Sequence, residues 1–213
     1  GRTQELLYFI SLLQQQNRCP RIPIYVDSPM ATSVTQIYEK DSDEQDQETT
    51  DALKHTINLL EPEWLTYVRD REQSIALNSQ RGPMMVISGS GMANGGRIVH
   101  HLLHRLGQAS TTVLFTGYQA TGTLGRQLID GHTPVRIMGQ TIDVRAKIDK
   151  MNALSAHADQ GEIMKWLSNF KTPPKKTFIV HGEPPAQQAL QAKIQKDLGW
   201  DVVIPTRGQS FQL

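Results

Sequence analysis

The stretch "GPMMVISGSGMANGGRIVHHLLHRL", residues 82–106, has the pattern of a strand, a glycine-rich turn and a helix in direct succession. Its apolar run predicts a strand, its glycines predict a tight turn, and the apolar spacing after the turn predicts a helix. The stretch "STTVLFTGYQATGTLGRQLIDG", residues 110–131, repeats this order. Strands that alternate with helices are typical of an α/β fold, so we expect a mainly parallel sheet with flanking helices.

The other segments follow the same alternation. Residues 3–16 show helical apolar spacing, and "RIPIYVD" predicts a short strand that ends at Asp27. Ser28 can cap the next helix, with Pro29 at its first position. The acidic stretch 41–51 predicts a solvated loop. The remaining expected elements are helices at 52–60, 72–79, 160–169 and 185–198, strands at 65–68, 177–180 and 201–204, and two strands within 134–149.

The composition excludes several classes of protein. The chain has 213 residues, of which 38% are hydrophobic and 20% charged, unlike a disordered chain. Its net charge of +1 gives no overall field for a polyanion, so a nucleic-acid contact needs a local patch, a metal or helix N-termini. The single cysteine, Cys19, excludes an internal disulfide and suits a reducing cytoplasm. No apolar run approaches the ~20 residues of a membrane span.

Small or polar residues follow several of the expected strands. In α/β sheets, ligands bind in the crevice outside the carboxyl ends of the strands. The residues expected at such ends are Asp27, Ser88 to Gly91, Thr116 to Gly117, and His181. This pattern is a first indication of where a functional site lies.

The two glycine-rich turns allow more than one interpretation. The backbone N–H groups of "SGSGMANGGR", residues 88–97, fit an anion site before a helix, but an ordinary tight turn explains the same glycines. No Walker lysine follows, and Asn94 stands where a dinucleotide fingerprint has glycine. In the second turn, Arg126 is either a phosphate clamp or a surface arginine.

Most of the histidines show no pattern of a site. "HHLLH" places His100 and His104 four residues apart on one helix, a spacing that can grip a metal. The metalloprotease pattern, however, needs a glutamate where His101 stands. We expect these three to be helix-surface or interface histidines, and we assign no role to His55 or His132.

Two other histidines stand in more informative places. His157 lies in "NALSAHADQ" before an expected helix, which Asp159 or Ser155 can cap. His181 ends an expected strand in "FIVHGE", a rigid position for a neutral metal-binding ring, with Glu183 near enough to accept from its other nitrogen. Because a catalytic zinc usually has three protein ligands, these residues alone leave a metal role open.

Six segments in order resemble the β-CASP branch of the metallo-β-lactamase superfamily, a group of nucleases, in the form of a prokaryotic RNA-processing ribonuclease. They are "GRTQELL", "PIYVDSPMA", "RGPMMVISGSGMANGGRIVHHL", "TVLFTGYQATGTLGRQL", "VRAKIDKMNALSAHADQ" and "FIVHGEPPAQQAL". The resemblance implies that residues 1–154 are a Rossmann-like β-CASP domain whose first strand is missing before Gly1. It implies that residues 155–213 are a C-terminal α/β segment that completes a metallo-β-lactamase domain.

The resemblance also implies roles for individual residues. His157 matches a catalytic histidine near the scissile phosphate, and His181 matches a zinc ligand. Contacts to phosphate or RNA are implied for Ser155, Ser88, Gly89, Ser90, Gly91 and Arg126, with Asp159 and Glu183 supporting the two histidines. For the intact protein, the resemblance implies two zinc ions, a bridging hydroxide and hydrolysis of single-stranded RNA, with His157 protonating the leaving oxygen or hydrogen-bonding the phosphate.

One feature of the family is missing from this sequence, namely the zinc-binding run H-x-H-x-D-H. The resemblance therefore predicts a C-terminal fragment that holds zinc partially or not at all and is inactive alone. One alternative is a non-catalytic scaffold subunit of an RNA-processing complex with the same fold. Another is an unrelated nucleotide-binding module, which only the glycine turns support. Retention of both His157 and His181 favours the enzyme, and a homodimer stays open.

Overall fold

A computed structural model describes residues 1–40, 64–155 and 157–212 of the chain. The loop expected at 41–51, the helix expected at 52–60 and His55 lie outside the described residues. The chain divides into two compact units, Gly1–Ser155 and Ala156–Leu213. Each unit is described by itself below.

Helices and strands alternate in both units, which confirms the expected α/β class. Among its described residues, the first unit has the helices α1 (Arg2–Gln15), α2 (Pro29–Lys40), α3 (Arg71–Ser79), α4 (Arg97–Arg105) and α5 (Leu124–Ile129). Its strands are β1 (Ile24–Asp27), β2 (Leu65–Tyr67), β3 (Met85–Ser88), β4 (Thr112–Phe115), β5 (Val135–Ile137), β6 (Gln140–Ile142) and β7 (Lys147–Lys150). The second unit contains α6 (Gln160–Leu167), β8 (Thr177–Phe178), α7 (Pro184–Leu198) and β9 (Val202–Val203).

Most strand pairs among the described residues are parallel, as expected. β1 lies between β2 and β3 and is parallel to both. The pairs β4–β7 and β8–β9 are also parallel, whereas β5 and β6 are antiparallel. These strands form four hydrogen-bonded groups rather than one continuous sheet.

The segment 134–149 contains three strands where the sequence predicts two. The additional strand arises because Met138 and Gly139 form a tight hairpin between β5 and β6. Both residues have positive φ, 48° and 82° respectively. A two-residue hairpin turn with positive φ at both positions matches the twist of paired strands, and glycine adopts that conformation readily. This segment therefore contains a hairpin and a further strand, one strand more than the sequence predicts.

Three apolar clusters hold the described elements together. In the first unit, Leu7 and Ile10 of α1 pack against Ile24 and Val26 of β1, and all four are buried. A second cluster joins α4 and α5 to β4 and β5, with Leu106, Leu128 and Ile137 among its least exposed members. The second unit has its own core of Met164, Leu167, Ile179, Ile194, Trp200 and Val202. Burial of each such aliphatic side chain stabilises the fold by about 1.5–3 kcal/mol. This packing holds the strands in place, together with the carboxyl edges described next.

Two of the expected helix caps are present. Ser28 Oγ accepts a hydrogen bond from the backbone N–H of Ala31 at 3.3 Å, so it caps α2. Asp159 and Glu162 form a reciprocal capping box at the start of α6. No helix within the described part of the chain is both long enough and apolar enough to cross a bilayer.

Candidate functional site

Two strand ends expected to lie together are adjacent at the carboxyl edge of the three-stranded sheet. The register of β1 and β3 pairs Asp27 with Ser88. Ser88 Oγ donates a hydrogen bond to the backbone carbonyl of Asp27 at 2.9 Å. The glycine-rich turn therefore leaves the sheet directly beside the residue that ends β1.

The first glycine-rich turn is closed by its own backbone. The Ser90 N–H donates to the carbonyl of Gly95 at 3.3 Å, and the Ile98 N–H donates to the carbonyl of Gly89 at 3.1 Å. Gly96, which precedes α4, has a φ of 72°, and a Cβ there would lie 2.6 Å from the Gly89 carbonyl oxygen. The turn thus needs glycine at 96, and the Ser90 N–H is already used within the turn. Ser90 and Gly91 are exposed.

The second glycine-rich turn packs onto the first. The Gln119 side chain is buried, and its Nε2 donates to the carbonyl of Gly91 at 2.8 Å. The Leu124 N–H donates to Asn94 Oδ1 at 2.8 Å. The Gly125 N–H donates to the Met92 carbonyl at 3.1 Å. The two repeated strand–turn–helix units of the sequence are therefore joined turn to turn.

Arg126 lies on α5 and forms an ion pair within that helix. Its Nε donates to both carboxylate oxygens of Asp130, at 2.9 and 2.8 Å. Both side chains are partly exposed. An exposed pair of this kind contributes little to stability and separates readily. A phosphate contact by Arg126 therefore stays a prediction.

A buried carboxylate anchors the edge of the three-stranded sheet. The side chain of Asp27 is fully buried. Ser74 Oγ of α3 donates to its Oδ2 at 2.6 Å, and Arg97 Nη1 of α4 donates to its Oδ1 at 2.5 Å. His101 Nε2 of α4 donates to Oδ2 at 2.7 Å. Three donors from two helices thus compensate a charge that would otherwise be costly to bury.

The surface position expected for His101 is wrong. The ring is 4% exposed, and its Nδ1 lies 3.0 Å from Asn78 Oδ1 while Nε2 binds Asp27. An imidazole can be buried when both ring nitrogens have hydrogen-bonding partners. Those partners come from α3 and β1, so the spacing of histidines along α4 does not reveal them. His100 and His104 are exposed, in line with the expected surface positions.

The pKa of Asp27 is lowered by its surroundings. Burial alone raises the pKa, but the hydrogen bonds from Ser74, His101 and Arg97, together with the charge of Arg97, outweigh it. Asp27 is therefore a stable anion at neutral pH. Because Arg97 stands in the first turn of α4, directly after Gly96, the carboxylate also fixes the end of the glycine-rich turn.

Sequence reasoning missed Ser74 and Arg97, and it noted Asp27 only as a strand end. A signal was present in part, because Arg97 and His101 are four residues apart and so share one face of α4. Two basic side chains on one helix face next to a strand-end acid are the pattern that could have identified the network. Ser74 carries no such signal.

The two histidines of the implied active site both lie in the second unit and are exposed. His157 stands two residues before Asp159, whose side chain caps α6 by accepting from the Glu162 N–H at 2.9 Å. His181 has a φ of 70°, which is uncommon for a residue other than glycine, and Gly182 follows with a φ of 126°. Glu183 then occupies the N-cap position of α7. Each histidine thus precedes a helix N-terminus.

The described side chains do not complete a metal site. Within residues 1–40, 64–155 and 157–212, no group of three or more His, Cys, Asp or Glu side chains could hold a metal ion. A catalytic zinc usually has three protein ligands, and the described side chains bring together no such set.

Comparison with known protein families gives two matches that follow each other along the chain. The family model of the Beta-Casp domain matches residues 3–128. The model described as the Zn-dependent metallo-hydrolase RNA specificity domain matches residues 141–205.

Curated relatives agree with these matches. Ribonuclease TTHA0252 of Thermus thermophilus is 39% identical over 189 residues, which cover 89% of this chain and 42% of the relative. An RNase J-like protein of Methanocaldococcus jannaschii is 28% identical over 98% of this chain and 47% of the relative. Transcription termination factor FttA of Thermococcus kodakarensis is 27% identical over 100% of this chain and 34% of the relative.

The chain thus spans less than half the length of each of these three relatives. The Beta-Casp match alone covers more than half of the chain. The expected resemblance is confirmed, and the chain belongs to the β-CASP family of the metallo-β-lactamase superfamily.

Proposed function

We propose that this chain is part of a zinc-dependent ribonuclease that hydrolyses phosphodiester bonds of single-stranded RNA by a two-metal mechanism. The observation that carries the proposal is the exposure of His157 and His181 in the "SAHAD" and "HGE" segments of a β-CASP chain. Two of the relatives are named as a ribonuclease and an RNase J-like protein. We propose that residues 1–154 are the β-CASP domain and residues 155–213 the return segment of the metallo-β-lactamase domain, and the division of the chain after Ser155 into two compact units supports this.

His181 is the proposed zinc ligand of this chain. The left-handed backbone at His181 and Gly182 makes a sharp turn before α7, which holds the ring at a defined place on the surface. Glu183 is proposed to orient the ring, as carboxylates beside ligating histidines commonly do. Bound zinc would supply a water that ionises near neutral pH. The other ligands are proposed to come from a part of the whole protein outside this chain.

His157 is the proposed acid that acts on the substrate. An exposed imidazole can protonate the leaving oxygen or hydrogen-bond the phosphate, and general acid catalysis is worth about 10²- to 10⁴-fold in rate. Ser155 is proposed to donate its hydroxyl to the same phosphate. Asp159 supports this arrangement, because its capping box fixes the backbone two residues after the histidine.

The glycine-rich edge of the first unit is the proposed path of the RNA backbone. Ser88, Gly89, Ser90 and Gly91 lie at the turn before α4, and Arg126 lies in α5, the helix that follows the second glycine-rich turn. Because the chain has a net charge of only +1, few phosphates are neutralised at once. We therefore propose a modest dependence of RNA affinity on salt.

Replacement of His157 tests the proposed function. In the whole protein, His157→Ala should lower RNA turnover at least tenfold and leave the zinc content unchanged, because it removes a proton donor and no ligand. The measurements are cleavage of a labelled single-stranded RNA and atomic emission.

His132→Ala serves as the matched control, since His132 is an exposed histidine of the other unit. A wild-type rate for His157→Ala would mean that the ring has no catalytic role. If the wild-type protein loaded with zinc failed to cleave RNA, the scaffold subunit would replace the enzyme as the best interpretation.

A further inference from the structure

Arg2 joins three segments of the first unit that are far apart in the sequence. Its Nε donates a hydrogen bond to the backbone carbonyl of Leu154 at 3.0 Å, across 152 residues. Its guanidinium also lies against Gly117, where a Cβ would come within 2.6 Å of Nη1. Glycine at 117 thus leaves the space that the arginine occupies. Arg2 begins α1, so these contacts place the start of α1 against both segments.

The two segments that Arg2 touches both lie beyond the carboxyl ends of neighbouring parallel strands. β4 and β7 are paired in parallel, with Phe115 opposite Lys150. Gly117 follows the end of β4, and Leu154 follows the end of β7. The Met151 N–H donates to the Phe115 carbonyl at 2.8 Å, which keeps the two exits side by side. Arg2 therefore stands at the edge where ligands of α/β sheets bind.

The guanidinium is held on one side and remains exposed. The Arg2 side chain is exposed although its Nε is hydrogen-bonded, whereas Leu154 is buried. A guanidinium has five N–H donors, and the bond to Leu154 uses the one on Nε. The terminal Nη groups are the pair that commonly engages phosphate oxygens in a bidentate fork. An arginine held through Nε loses less conformational freedom when a phosphate binds.

We propose that Arg2 is a substrate-binding residue that contacts an RNA phosphate next to Ser155. This inference rests on the proposed ribonuclease function and adds a residue to its site. Ser155 is exposed and directly follows Leu154, so the carbonyl bonded to Arg2 and the proposed phosphate-binding hydroxyl belong to adjacent residues. The net charge of the whole chain is only +1, but Arg2 places a positive charge at this edge, where it can contact a polyanion.

The test measures the salt dependence of RNA binding by the whole protein. A His157→Ala background slows cleavage, and fluorescence anisotropy at 4 °C reports the affinity for a labelled single-stranded RNA. Each phosphate contact to a single strand contributes about 0.7 to the slope of log affinity against log salt. Arg2→Gln should reduce the magnitude of that slope by about 0.7, so that affinity falls less steeply with salt, and should weaken binding about tenfold at low salt. Arg2→Lys should keep the slope, because it keeps the charge.

Arg18→Gln is the matched control, since Arg18 is an exposed arginine just past the other end of α1. Its slope should equal that of the parent. A urea titration shows that each variant is folded before binding is measured. An unchanged slope for folded Arg2→Gln, in a parent that binds RNA, would overturn the phosphate contact alone. Failure of the parent to bind RNA would overturn the proposed function and the Arg2 contact together.

Discussion

Asp27 carries its negative charge inside the first unit, where its pKa is lowered by donors that outweigh the effect of burial. Such a carboxylate stabilises the fold fully at every pH above the pKa that it has in the unfolded chain, about 3.9. The stabilisation is lost as the pH falls through the lower pKa that it has in the folded protein. The contribution is thus fully present at neutral pH and is lost in acid. Breaking a buried, paired charge is among the larger effects that one substitution can have.

Replacement of Asp27 should show this pH dependence directly. Asp27→Asn removes the charge that balances Arg97 and the acceptor of the hydrogen bonds from Ser74 and His101, so the free energy of unfolding at pH 7 should fall by about 3 kcal/mol. The difference from wild type should begin to narrow as the pH falls below about 5, because the Asp27 carboxyl of the unfolded chain, which has the higher pKa, then takes up a proton before the folded one does. Urea titrations at several pH values measure both quantities.

Asp130→Asn is the control, because Asp130 pairs with Arg126 at the surface. It should change the free energy of unfolding by less than about 1 kcal/mol. If the difference in the free energy of unfolding between Asp27→Asn and wild type stayed constant down to pH 3, the charge of Asp27 would not be the source of the stability.

At the scale of elements, the glycine-rich turn between β3 and α4 depends on the space beside Gly96. A side chain at this position would meet the Gly89 carbonyl and would also have to adopt a positive φ. The turn has little room to move, because the Ile98 N–H is bonded to the same carbonyl at 3.1 Å. The conformation of the turn is therefore decided at one glycine, although the segment contains four.

Two neighbouring glycines allow a matched comparison. Gly96→Ala should lower the free energy of unfolding by roughly 2–4 kcal/mol, since it combines backbone strain with a steric clash. Gly95→Ala should change it by less than about 1 kcal/mol, because no atom lies within 4 Å of a Cβ placed there. Thermal and urea unfolding of the two variants measure the contrast. Equal losses would show that the close approach to Gly89 does not govern the turn.

For the whole molecule, the proposed reaction depends on a zinc site, and His181 is the one ligand that we propose this chain contributes. In the whole protein, His181→Ala should reduce the zinc content, because a site that loses one of about three protein ligands binds metal much more weakly. Atomic emission on protein dialysed against a weak chelator measures the loss. His104→Ala, an exposed histidine of the first unit, should keep full zinc content. An undiminished zinc content in His181→Ala would remove His181 from the ligand set.

Much of the architecture could be predicted because its signals are local. Apolar spacing along α1, the proline and serine at the start of α2, and the strand–turn–helix repeat around the two glycine turns all act within a few residues. The additional strand within 134–149 was missed because the hairpin is closed by only two residues, Met138 and Gly139, which do not stand out as a loop in the sequence. The family also followed from the sequence, since six motif segments stand in order and the Beta-Casp match includes four of them in whole or in part.

Local patterns in the sequence predicted the α/β class, most of the order of the described elements and the two motif histidines, because periodicity and turn residues are properties of short segments. Only the tertiary structure decided which polar groups meet. His101 reaches Asp27 across 74 residues, and Arg2 reaches Leu154 across 152 residues. The packing of helices across strand ends sets which polar groups come within hydrogen-bonding distance. A buried polar group needs such a partner, and no local sequence pattern shows which residue supplies it.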